Sequence, residues 1–222
     1  MGVMAVTYNS EFYDQINDGS KRSAFLILDY VFNIVMPEPP DVVIDIGCGE
    51  GAWLWVAHSL GVRDTVGLDG DYVDRSRLMI NINNFHPTDL STHTYSADDG
   101  KADLAISLEV AEHLPEESAD GFVQMLTNYS DMILFSAAIP GQKGVGHINE
   151  QWPSYWIKKF NSHGFIESNC VREEFWNDER IDNWYRQNTI FFSRGIIEGV
   201  TSGGVLDCVH PNNWWDHHLS KI

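Results

Sequence analysis

The sequence predicts an α/β fold in which a doubly wound, mostly parallel sheet carries helices on both faces. Three observations carry that expectation. Short apolar runs at 42–46 and 65–69 end on acids and alternate with stretches of helical periodicity. Two further runs, 103–108 and 132–136, are apolar nearly throughout, as strands buried on both faces must be. The connections between them are long enough for a crossover helix of roughly 10–15 residues, the mark of βαβ units rather than hairpins.

Taken in order, residues 20 to about 35 place Phe25, Leu26, Ile27, Leu28, Val31, Phe32, Ile34 and Val35 at helical spacing. Gly19 and Ser20 open this lead-in helix, and Pro37, Pro39 and Pro40 stop it. After the strand at 42–46 a helix is expected over 51–60, closed by Gly61, then the strand at 65–69 and a helix from Tyr72 to Ile80. Pro115-Glu-Glu-Ser118 opens a helix running to about residue 128, ahead of the strand at 132–136. A helix over 151–163 stops at Gly164. Residues 165–173 and 189–194 then read as two strands separated by 15 residues of weak periodicity, which suits antiparallel neighbours at one sheet edge. A single domain is expected over 1–222: a helical lead-in (1–40), a core (41–195) and a Gly-rich polar tail (196–222) whose Trp214 and Trp215 dock on the body.

With 43% hydrophobic and 12% aromatic residues the chain is globular, and no apolar run approaches the roughly 20 residues of a membrane span. No basic region precedes an apolar stretch at the N-terminus, so a cytoplasmic location is expected. Cys48, Cys170 and Cys208 form neither a disulfide framework nor a paired zinc motif and read as reduced. A formal net charge of −18 repels polyanions, which disfavours nucleic acid and anionic membrane faces as partners. The oligomeric state is not legible.

The most informative segment is Asp45-Ile-Gly-Cys-Gly-Glu-Gly-Ala52: a strand that ends on a carboxylate, breaks into a glycine turn and opens a helix. Such turns bring backbone close to nucleotide-like ligands. Gly47, Gly49 and Ala52 fit the G-x-G-x-x-G/A dinucleotide fingerprint, whereas Asp45, Gly47, Gly49 and Gly51 fit the D-x-G-x-G-x-G pattern of S-adenosylmethionine sites. A carboxylate at the strand tip repels a pyrophosphate and attracts an ammonium and a sulfonium, so Asp45 favours the cationic ligand. Asp69, 18 residues beyond Gly51, can accept ribose hydroxyls of either cofactor.

These segments, with Gly67-Leu-Asp69-Gly70, Thr88-Asp89-Leu90 and the run from Ser107 to Pro115, resemble the class I S-adenosylmethionine-dependent methyltransferases over about residues 40–195. Phe135-Ser-Ala-Ala-Ile-Pro140 and Gly146-His-Ile-Asn-Glu-Gln-Trp152 are similar to a small-molecule subgroup of that family. The resemblance implies a Rossmann-like sheet of about seven strands with an antiparallel last strand. It also implies that Gly47, Cys48, Gly49 and Gly51 cradle the methionine part of the cofactor, with Asp45 toward its ammonium. Asp69 and Gly70 would lie at the ribose, Asp89 at the adenine amine and Leu90 at the ring, with Asp98 or Asp99 as competitors of Asp89. Leu108 and Glu109 would stand beside the sulfonium.

Methyl transfer requires a nucleophile aligned with the methyl group and relieved of its proton. Glu109, His113 and His147 are the catalytic candidates. If Glu109, Glu112 and His113 occupy one helical turn, they share a face that His147 can complete, and two carboxylates with two histidines suffice for a divalent ion such as Mg²⁺ or Mn²⁺. That set resembles the ligands of ubiquinone-biosynthesis O-methyltransferases and small-RNA 2'-O-methyltransferases, although the context of His147 differs. Without metal, His147 is a general base and His113 a buttress. Trp152, Tyr155 and Trp156 are candidates for an acceptor wall, and Tyr13, Ser20 and Ser23 for closing over the cofactor. The expected function is methyl transfer to a small molecule, at oxygen. The alternatives are an NAD-dependent oxidoreductase and an inactive cofactor-binding partner subunit.

Overall fold

The computed structural model describes residues 19–96 and 99–213, so Tyr13, Asp98, Trp214 and Trp215 lie outside the described residues. Helix α1 (Gly19–Tyr30) continues as a wider turn over Val31–Val35 and is followed by β1 (Val42–Ile46), α2 (Ala52–Ser59), β2 (Asp64–Asp69) and β3 (Phe85–Pro87). Strand β4 (Leu104–Leu108), α3 (Ala119–Tyr129), β5 (Met132–Ser136) and α4 (Pro153–Ser162) continue the alternation. The chain then forms β6 (Ile166–Ser168), α5 (Cys170–Phe175), α6 (Asn183–Asn188) and β7 (Ile190–Ser193).

The seven strands lie in the order β3-β2-β1-β4-β5-β7-β6. All neighbours from β3 to β5 are parallel, and β7 runs antiparallel to both β5 and β6. Strand order reverses between β1 and β4, and the crevice beyond the C-terminal ends of those strands is where open α/β sheets take their ligands.

Period-two alternation distributes the strands between two cores. Val43, Leu104, Ile106, Leu134 and Phe191 face α1, α2, α5 and α6, while Ile44, Ala105, Ile133, Phe135 and Phe192 face α3 and α4. In the second core Phe160 stacks on Phe192 with ring centroids 4.1 Å apart and meets Phe135 edge-on at 5.2 Å. No helix among the described residues is long and apolar enough to cross a membrane.

The segment from Tyr72 to Ile80 is not a helix. Asp74 caps the backbone and hydroxyl of Ser76, which supports only the short turn Arg75–Arg77, and Met79 then donates its N–H to the Glu50 carbonyl at 2.8 Å. Val73 is the only buried residue of the stretch, so it lacks an apolar stripe to hold against the sheet. The strand expected over 165–173 ends at Ser168, whose hydroxyl donates to the Thr201 carbonyl and accepts the Cys170 N–H, and residues 170–175 coil as α5.

Phe160→Ala is expected to lower stability by about 3–5 kcal/mol, because its ring is fully buried and touches aromatic partners on two strands. Urea unfolding of the two proteins measures this directly.

Candidate functional site

Two adjoining cavities open at the β1/β4 crevice, one of about 940 Å³ and one of about 300 Å³, and Gly47 and Gly49 line both. The larger is also lined by Asp69, Gly70, Tyr72, Asp89, Leu90, Glu109 and His113. The smaller holds Asp45, Cys48, Leu108 and Ser20. Gly51 lies just behind this wall as the left-handed N-cap of α2, at φ +86°.

The glycine turn is shaped by close approach. Gly47 has φ +90°, and a Cβ there would run into the side chain of Val110, which follows β4. Gly70 has a different reason: the Tyr72 ring lies against its Cα, where a side chain would stand. The Tyr72 hydroxyl donates to Asp69 Oδ1 at 2.5 Å, and the N–H groups of Gly70 and Gly49 donate to Oδ1 and Oδ2 at 2.6 and 2.7 Å. Burial, then the bond to Asp69, pushes the Tyr72 phenol up to about 12.

Asp45 is 3% exposed, and desolvation, aided by the neighbouring Asp69 charge, raises its pKa to about 8. Burial also pushes the Cys48 thiol up. Asp89 is exposed on the cavity rim and its carboxyl is held below the usual range by the hydroxyl and N–H of Ser91. Asp99, its competitor, instead accepts from Ser96 N and the Tyr129 hydroxyl and does not line the cavity.

Residues 109–113 do not form one helical turn. Glu109 sits in the left-handed region at φ +56° and only Ala111–His113 coil, as a short 3₁₀ turn. Glu109 therefore diverges from its neighbours. Its carboxylate accepts from Asn188 Nδ2 at 3.1 Å and from Gln142 Nε2 at 2.8 Å. Burial raises its pKa against the pull of these amide donors and the Ser136 hydroxyl.

Glu112, His113 and His147 do converge, with ligand atoms within 4.8 Å of one another. Glu112 is fully buried, neither carboxylate oxygen has a hydrogen-bond partner, and His147 Nε2 lies 4.0 Å away. Desolvation, reinforced by the Glu109 charge, raises the Glu112 pKa to about 9. An orphaned buried carboxylate is costly without a proton or a cation. Each histidine has its Nδ1 engaged elsewhere, His113 with the Gly146 carbonyl at 3.2 Å and His147 with Glu150 at 2.9 Å. The residues present thus fit a divalent ion, with Glu109 set apart from the converging three.

The aromatic wall does not form: Trp156 is 1% exposed in the core against Phe135, and neither it nor Trp152 or Tyr155 lines either cavity. Ser23 is likewise turned away, its hydroxyl accepting the Asp182 N–H. Gln142, Glu150 and Tyr72 were not legible as site residues; the His147-x-x-Glu150 spacing was a usable signal for one of them.

A family model described as a methyltransferase domain matches residues 21–130. The chain belongs to the class I S-adenosylmethionine-dependent methyltransferases. Ribosomal protein L11 methyltransferase of Thermoanaerobacter pseudethanolicus is 28% identical over 105 residues, which cover 46% of this chain and 33% of that protein. The human N-acetylserotonin methyltransferase solved with S-adenosylmethionine shares the fold at a TM-score of 0.51 and 13% identity, covering 80% of this chain and 52% of that one. The small RNA methyltransferase HEN1 does so at a TM-score of 0.59 and 13% identity, covering 91% and 28%. The chain therefore spans about a third of the length of the curated relative it matches. Membership of the family sets aside the dinucleotide reading of the glycine turn.

Because the folded pKa of Asp45 lies above its ordinary value near 4, its contribution to stability is full below that value and is lost as pH rises through about 8. Unfolding of the ligand-free protein and of Asp45→Asn, followed from pH 5 to pH 9, is expected to show a smaller decline in the variant.

Proposed function

We propose that this methyltransferase moves the methyl group of S-adenosylmethionine to an oxygen of a small-molecule acceptor and releases S-adenosylhomocysteine. The observation that carries the reading is the pairing, across the glycine turn, of a buried acid suited to a cation with an unsatisfied carboxylate–histidine cluster. Asp45 receives the cofactor's ammonium, and the backbone of Gly47, Cys48, Gly49 and Gly51 closes around its methionine part. Asp69 accepts the ribose hydroxyls beside Gly70, replacing the Tyr72 hydroxyl. Asp89 accepts from the adenine amine, with Leu90 against the ring and Leu108 near the sulfonium.

Glu112, His113 and His147 hold a divalent ion, Mg²⁺ or Mn²⁺, which when bound gathers the acceptor's hydroxyls and lowers their pKa. Glu109, held by the amides of Asn188 and Gln142, faces the same cavity and orients the acceptor hydroxyl. His147, with Nδ1 tied to Glu150, turns Nε2 toward the cluster. The named relatives act on a ribosomal protein, on N-acetylserotonin and on small RNA, so the relatives span three acceptor classes. The net charge of −18 supports the small molecule over the polyanion.

Isothermal titration is expected to show sub-millimolar binding of S-adenosylmethionine and S-adenosylhomocysteine. Asp69→Ala should weaken it roughly 10–100-fold, the loss of hydrogen bonds to a charged acceptor worth about 1.5–3 kcal/mol. Equal binding by wild type and variant would sink the cofactor assignment. Binding should also strengthen as pH rises through about 8 in the wild type and not in Asp45→Asn, because the ligand's ammonium needs the ionised carboxylate. For the ion, chelation should abolish turnover and added Mn²⁺ restore it; turnover indifferent to chelator assigns His147 to metal-free base catalysis. Cofactor binding with no turnover over a broad panel of alcohols and phenols identifies an inactive partner subunit.

A further inference from the structure

Glu150 has no place in the cofactor pocket or among the converging ligands, yet its carboxylate takes three hydrogen bonds within the loop that carries His147. Its Oε1 takes the Lys143 N–H at 2.8 Å and His147 Nδ1 at 2.9 Å, and its Oε2 takes the Gly141 N–H at 2.6 Å. Gly141 and Lys143 both lie in the left-handed region, at φ +87° and +63°, and both of their amides turn to the one carboxylate. Gln142 stands between them. With both flanking amides pinned, its carboxamide reaches Glu109 Oε2 through Nε2 at 2.8 Å and Asn188 Nδ2 through Oε1 at 2.8 Å.

We infer that Glu150 is a positioning residue that sets both halves of the acceptor site: it fixes the His147 ring with Nε2 toward Glu112, and it fixes Gln142 against Glu109. The inference rests on the divalent-ion reading of Glu112, His113 and His147. An ionised carboxylate facing Nδ1 requires a proton on that nitrogen, which leaves the Nε2 lone pair free for the cluster. Carboxylate partners of this kind orient ligating histidines and raise their basicity. Glutamine at this position cannot do the same, because its NH₂ group opposes one of the three donors.

The test is a Mn²⁺ titration of the full chain, read as free-ion electron paramagnetic resonance, for wild type, Glu150→Gln, His147→Ala and the double variant. Wild type should bind the ion, and Glu150→Gln should weaken binding about 10–100-fold while retaining S-adenosylhomocysteine affinity as a check on folding. In the His147→Ala background Glu150→Gln should add little, the non-additivity of two residues acting through one contact. Wild-type binding with an unchanged Glu150→Gln affinity, or an equal loss in both backgrounds, overturns the positioning role and leaves the metal reading intact. Failure of the wild type to bind Mn²⁺ overturns both. Nitrogen-15 spectra of the ion-free wild type supply a readout independent of any variant: His147 should carry its proton on Nδ1, and a proton on Nε2 overturns the inference.

Discussion

Carboxylates gathered at one end of a sheet, with neither lysine nor arginine among the described residues lining the two cavities, impose a like-charge constraint on everything around them. Asp45, Asp69, Glu109 and Glu112 all leave the tips of β1, β2 or β4, and the molecule tolerates them by different means. Asp69 is saturated by two backbone amides and a phenol. Glu109 is clamped by neutral carboxamides. Among the described residues Asp45 and Glu112 lack side-chain donors, and desolvation raises the pKa of each. Binding of positive charge in this site therefore shifts Asp45 and Glu112 toward their ionised forms.

That constraint also explains the shape of the loops. Left-handed backbone at Gly47 lets the turn pack under Val110, and left-handed backbone at Glu109 swings its carboxylate away from Glu112 rather than leaving the two side by side on one helical face. A regular turn over 109–113 would have stacked two buried anions four residues or fewer apart, at a cost that the break in the helix avoids. The same break puts Glu109 within reach of Asn188 on α6 and Gln142 on the loop after β5, so residues far apart in sequence share one network.

Sequence periodicity was a good guide where burial alone decides conformation. Strands β1, β2, β4 and β5, α3 and the antiparallel edge pairing follow from apolar runs whose partners are the sheet itself, whereas β3, only Phe85–Pro87 with one buried residue, has no such run. It failed where side chains bond to local backbone. Asp74 capping Ser76, Ser168 capping Cys170 and the left-handed Glu109 each redirect the chain through polar contacts that leave no trace in hydrophobic spacing. In the candidate site, Asp45, Asp69 and the pair Glu112–His113 stood out because acids at strand tips and beside histidine are chemically conspicuous. Gln142 and Glu150 did not, since their importance lies in which distant group each one touches.

Among the described residues, strand β6 hydrogen-bonds within the sheet only to β7, although the two helices α5 and α6 separate them in sequence. Glu109 is held by Asn188, which sits immediately before the strand that joins β6 to the sheet, so the packing of this sheet edge and the setting of the acceptor side of the crevice are joined through one short helix.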